Sequence, residues 1–103
     1  MKHVTSAKRT AVAPEIPTIA ETLPGFDIVS WTTLCGPAKL PPDVTARLSE
    51  LSKKALESDH VKAKFGALGS TAWWQTPANT LAYRDSEEGR LAPIIRASGA
   101  RVD

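Results

Sequence analysis

Apolar and polar positions change rhythm several times along this chain. Phe26 to Leu34 crowds β-branched and aromatic residues together, with Ile28, Val29, Trp31, Thr32 and Thr33, and predicts a strand. Beyond it the period lengthens. Val44, Leu48, Leu51 and Ala55 recur at helical spacing and form one apolar stripe. Arg47, Glu50, Lys53 and Lys54 lie mainly off that stripe. Glu50 precedes Lys54 by four residues, a pairing that stabilises a helix by roughly 0.3 kcal/mol. Pro42 suits the first turn of this helix. Asp59 is the expected N-cap of a shorter helix carrying Val61, Phe65 and Leu68, stopped by Gly69. Thr71 to Gln75 reads as a short strand, and Thr76 then caps a last helix with Pro77 at its first position.

Proline and glycine punctuate these elements. Pro14 and Pro17 hold their preceding residues extended. Thr18 and Glu21 have capping-box spacing, so a short helix is expected to start there and to stop at Pro24-Gly25. Gly36-Pro37 and Pro41-Pro42 bracket the expected hinge. The last helix carries two weak points. Gly89 costs about 1 kcal/mol relative to Ala in a helix interior, and Pro93 removes a backbone hydrogen bond and should kink the helix. The run from Arg84 to Arg90 is therefore weakly specified and is expected to be helical but solvated.

Composition narrows the function classes. A chain of 103 residues makes one small domain with a modest core. Its 42% hydrophobic and 23% charged content is that of a globular protein. The net charge is +2, and the 13 basic residues are interleaved with 11 acids, so no nucleic-acid partner is expected. No apolar run approaches the roughly 20 residues that span a bilayer. The lone Cys35 excludes a disulfide within the chain. Met1 to Ser6 has no apolar core and no small-residue cleavage site, so it is not a secretory signal.

Catalytic patterns are absent. No serine lies in a Gly-x-Ser-x-Gly elbow. His3 and His60 are far apart, and neither stands at metal-ligand spacing from Cys35. There is no phosphate-binding loop. Glu87 and Glu88 are helix neighbours that diverge in direction. No enzyme activity and no cofactor is expected. The aromatics offer more. Trp31 is either a core residue or part of a binding surface. Trp73 and Trp74, adjacent on a strand, must face opposite sides, which leaves one of them outward. Thr18 has two readings as well. It caps its own turn, or it stands beside the amides of Ala20 and Glu21 at a helix N-terminus that suits an anion.

Several stretches carry a resemblance in order. They are Thr5-Ser6-Ala7-Lys8-Arg9, Pro14-Glu15-Ile16-Pro17-Thr18-Ile19-Ala20-Glu21, Leu23-Pro24-Gly25-Phe26, and Trp31 followed by Gly36-Pro37-Ala38 and Pro41. Ala67-Leu68-Gly69, Thr76-Pro77 and Ile94-Ile95-Arg96-Ala97-Ser98-Gly99-Ala100 continue the series. Together they resemble the C-terminal part of Bug/TctC-type receptors of tripartite tricarboxylate transporters. Those are periplasmic solute-binding proteins of two lobes. The last helix departs from that pattern at Arg84, Glu88 and Leu91.

The resemblance implies an α/β fold: part of a periplasmic-binding-protein (Venus-flytrap) lobe, with a short sheet and about four helices. It implies the end of one lobe and the crossover strand in residues 1–35, a hinge or connector in 36–42, and a C-terminal helical portion with one short strand in 43–103. It also implies a non-catalytic fragment of a receptor for small organic carboxylates, which hands ligand to membrane transporter subunits. Thr18, Ala20 and Trp31 are the expected ligand-binding residues, with Trp31 on the floor of the cleft between lobes. The location implied is periplasmic, or cytoplasmic if these residues are the whole gene product. The alternative is a small structural or protein-interaction module that works as an oligomer without ligand. A homo-oligomer is expected on either reading, with Leu91, Ile94, Ile95 and one of Trp73 or Trp74 at its surface.

Overall fold

A turn of 3-10 helix, Ile19–Glu21, anchors the first third of the molecule. The computed structural model describes residues 2–101. The capping box forms as the sequence predicts: Glu21 N–H donates to Thr18 Oγ1 at 3.2 Å, and Thr18 N–H donates to Glu21 Oε1 at 3.1 Å. Val4 runs alongside, giving its N–H to Pro17 O and accepting from Ile19 N–H, both at 3.0 Å. This Val4–Thr18 parallel bridge is the one β-type pairing among the described residues.

The expected sheet does not form, so the α/β class with its short sheet is corrected to a mostly helical architecture. Phe26 to Leu34 and Thr71 to Gln75 have no strand partner among the described residues. The reason lies in what a strand requires. A helix satisfies its backbone within itself, whereas a strand's N–H and C=O groups need a second strand alongside. Only Ile28 finds a distant backbone acceptor, Thr5 O at 2.9 Å.

Three α-helices follow: α1 (Pro42–Glu57), α2 (Asp59–Ala67) and α3 (Pro77–Ser98). Pro42 and Pro77 occupy first-turn positions, where a missing N–H costs nothing. Thr76 caps α3 by accepting from Asn79 N–H at 3.1 Å. The cap of α2 is Ser58 rather than Asp59. Its hydroxyl accepts from Val61 N–H at 3.3 Å and donates to Ala55 O at 2.7 Å, so one side chain closes α1 and opens α2. Asp59 instead sits in the first turn, where its charge faces the positive helix end. Lys54 Nζ meets Glu50 at 3.0 Å, as the four-residue spacing predicts, and Arg47 meets the same carboxylate at 3.0 Å.

α3 runs unbroken through Gly89 and Pro93 and stops at Gly99, whose φ of 71° is the left-handed conformation glycine favours. Its stretch from Arg84 to Arg90 is helical and largely exposed, tied by Arg84–Asp85 and Arg90–Glu87 pairs at 2.8 Å.

The expected core is missing. No hydrophobic residue among those described is buried, and Thr18, at 2% exposure, is the one buried residue. The stripe Val44, Leu48, Leu51 and Ala55 stays exposed, while Thr45, Ser49, Ser52 and Leu56 are the more sheltered positions of α1. The accessible surface is 8425 Å², against about 5,600 Å² for a self-contained monomer of 11.0 kDa. The radius of gyration is 16.7 Å, where a compact chain of this length measures about 13 Å.

Candidate functional site

Trp31, Trp73 and Tyr83 gather in space from three separate segments. Each tryptophan meets the Tyr83 ring edge-on, with centroids 5.6 and 5.0 Å apart and planes near perpendicular, a favoured geometry for aromatic quadrupoles. Tyr83 gets there because α3 projects it inward about two turns after the Thr76 cap. Burial pushes its phenol pKa up, and the nearby Glu87 and Asp27 charges add to that.

These rings form one wall of an open groove of about 600 Å³. The opposite wall is α1, through Thr45, Leu48, Ser52 and Leu56, and the rim is the extended run from Trp31 to Gly36. Trp74 fixes the two walls together. Its indole N–H donates to Ser49 O at 3.2 Å, and Lys53 Nζ lies 5.0 Å from the ring centroid, a cation–π contact. Of the adjacent pair, Trp74 is the sheltered one and Trp73 is 54% exposed. Arg84 is the one charged side chain lining the groove, and its guanidinium is held by Asp85 at 2.8 Å. Cys35 lines the groove as an exposed thiol.

The three sequence-derived ligand residues do not share this groove. Trp31 lines it, 39% exposed. Thr18 and Ala20 belong to the capped turn and lie outside the lining. The cap engages both the Thr18 hydroxyl and its N–H, and Ile19 N–H goes to Val4 O. Among the described residues this leaves Ala20 as the amide of the turn with no acceptor in the chain.

Arg9 decides the electrostatics of the turn. Its Nε and Nη2 grip Glu21 Oε1 and Oε2 at 2.7 and 2.8 Å, a bidentate pair. That hydrogen bonding, helped by the Thr18 amide, holds the Glu21 carboxyl down at about 2. Glu21 is thus already engaged and its charge offset. Arg9 and Glu21 are twelve residues apart, and no local spacing rule links them. Tyr83 was equally hidden, since nothing in its immediate neighbours marks it as the aromatic hub. Among the described residues no cluster of His, Cys, Asp or Glu could hold a metal ion.

Comparison with known proteins agrees with the ordered resemblance in the sequence. The family model described as tripartite tricarboxylate transporter family receptor matches residues 1–100. Protein BugT of Bordetella pertussis is 30% identical over 100 residues, which are 96% of this chain and 31% of that protein. The UPF0065 protein in the tcbD-tcbE intergenic region of a Pseudomonas species is 38% identical over 68 residues, 64% of this chain and 20% of the relative. The chain thus spans about a third or less of the curated relatives it matches. No solved structure matches it significantly. Across nearly its whole length, this chain belongs to the family of tripartite tricarboxylate transporter receptors.

Proposed function

We propose that this chain is the C-terminal third of a periplasmic receptor unit that captures a small organic carboxylate and hands it to a membrane transporter. The family match over residues 1–100 carries this reading. The periplasmic-binding-protein fold that the family implies closes two lobes over a ligand. On this reading residues 1–35 end one lobe, 36–42 are the connector and 43–103 are the C-terminal helical portion. Trp31 is the side chain of this chain that meets the ligand. Thr18 serves by holding the turn that presents the Ala20 amide. The role is binding and delivery, without catalysis.

The chain alone should bind carboxylates poorly. Small-molecule sites bury most of their ligand and exclude water, and this groove is open, with the one cation in its lining already paired. Isothermal titration against a panel of small carboxylates should show no micromolar site on the isolated chain. A chimera carrying residues 2–101 in place of the matching segment of BugT should bind one member of the panel at micromolar Kd. A folded chimera that binds none would remove the receptor reading.

A second reading is favoured by one observation, the lack of any buried apolar residue among those described. It makes the chain an interaction module that completes its fold on a partner and takes no ligand. A micromolar carboxylate site on the isolated chain excludes it.

A further inference from the structure

We infer that Lys39 is a strained pivot, and that the angle between the run carrying Trp31 and helix α1 switches at this one residue. The inference rests on the reading of residues 36–42 as a connector and deepens it.

Proline chemistry confines the motion. Pro37, Pro41 and Pro42 have φ locked by their rings. Gly36, Leu40 and Pro41 each precede a proline, which holds them extended, and Pro41 has a ψ of 139°. Ala38 and Lys39 carry neither restriction, and the chain turns there.

Lys39 makes that turn against its own preference. Its φ is 63°, in the left-handed region. The other positive φ values among the described residues, 88°, 71° and 71°, fall on Gly25, Gly69 and Gly99. Glycine or asparagine is usual where a turn needs positive φ, because a Cβ in that conformation crowds the following carbonyl. Lys39 is exposed, so no buried contact of its own offsets the strain. Among the described residues no backbone hydrogen bond ties 36–40 to another part of the chain. What holds the turn is a close fold-back of Leu40 over Gly36. A Cβ built on Gly36 would stand 3.2 Å from Leu40 Cδ2. A turn strained at one residue and held by one side-chain contact has a competitor close in free energy, with Lys39 at negative φ.

The pivot lies between the two sides of the groove. Leu34, Cys35 and Gly36 line it before the turn, and Leu40, Thr45 and Leu48 line it after. Rotation at Lys39 therefore moves the rim against α1 and changes the groove's width.

A distance measurement within the chain tests the pivot. Cys35 is exposed and is the chain's one cysteine, so it takes a spin label directly. Ala55→Cys places a second label on an exposed position of α1. Labelled chains are diluted into unlabelled ones, so that double electron–electron resonance reads only distances inside one chain. Two distances are expected, one of them that of the left-handed turn. Lys39→Gly should raise the share of that distance relative to the other by about fivefold or more. Lys39→Val should lower it by at least about fivefold, because β-branched residues avoid positive φ. Should Lys39→Val lose its helical circular dichroism, Lys39→Gly decides alone. One distance that neither substitution changes, or shifts in the opposite sense, would overturn the inference. The readout needs no ligand, so it succeeds or fails separately from carboxylate binding by the receptor.

Discussion

Thr18 holds an unusual share of this molecule's order. It is the one buried residue described, and its side chain and amide both serve the turn that Val4 leans on. A cap lost to alanine costs about 1 kcal/mol. Thr18→Ala should therefore lower the unfolding free energy by that amount, read as a lower denaturant midpoint with the slope of the transition unchanged. A melt that does not move would mean the cap carries no weight and that the hydroxyl is kept for another purpose. The neighbouring Arg9–Glu21 pair adds a pH dependence. Glu21 titrates at about 2, below its ordinary 4.5. A depressed carboxylate stabilises the fold fully above pH 4.5 and loses that contribution as pH falls through about 2. Both side chains are 46% exposed, so solvent screens the pair and the effect is small. The stability gap between the unmodified chain and Glu21→Gln should shrink between pH 4.5 and pH 2. A gap that stays constant over that range would show that the ion pair contributes nothing.

At the scale of elements, helices were legible in the sequence and strands were not. Thr18–Glu21, Pro42, Glu50–Lys54 and Thr76-Pro77 are local signals, and each produces its feature within a turn or two. Ser58 was missed for an equally local reason: two capping residues stand side by side, and the earlier one takes the cap. The run from Phe26 to Leu34 has strand composition, yet composition cannot supply the neighbouring strand. The same limit applies to the groove. Its tryptophans stood out in the sequence, but their meeting on Tyr83 depends on where α3 lies. α3 itself offers a test. Gly89 sits four residues before Pro93, at the carbonyl that Pro93 leaves without its helical bond. A Cβ built at Gly89 meets nothing within 4 Å, and the backbone there is helical. Gly89→Ala should thus stabilise the protein by up to about 1 kcal/mol in urea melts. Destabilisation instead would show that the helix needs the glycine to tilt that carbonyl away from the proline ring.

For the whole molecule, the ratio of surface to mass governs behaviour. Folding orders every helix here, and that ordering carries a conformational entropy cost of 1–2 kcal/mol per residue for the backbone. Burial of apolar surface normally offsets it, and within one chain the described residues bury no apolar side chain. α1 leaves its apolar stripe exposed, and Ile94 and Ile95 of α3 are each 52% exposed. The missing burial has to come from outside these residues, and where the chain stands alone in solution, folding and self-association should be one equilibrium. Stability then depends on concentration by mass action. For a dimer that unfolds to two free chains, each tenfold rise in chain concentration adds about 1.4 kcal/mol. Chemical melts followed by circular dichroism over two decades of concentration should show the midpoint climbing in equal steps. Midpoints that coincide at all concentrations, with a cooperative transition, would mean that a single chain in solution closes over its own apolar surface. The groove between α1 and Tyr83 would then have to be shut, and the surface of 8425 Å² would have to fall toward that of a compact monomer.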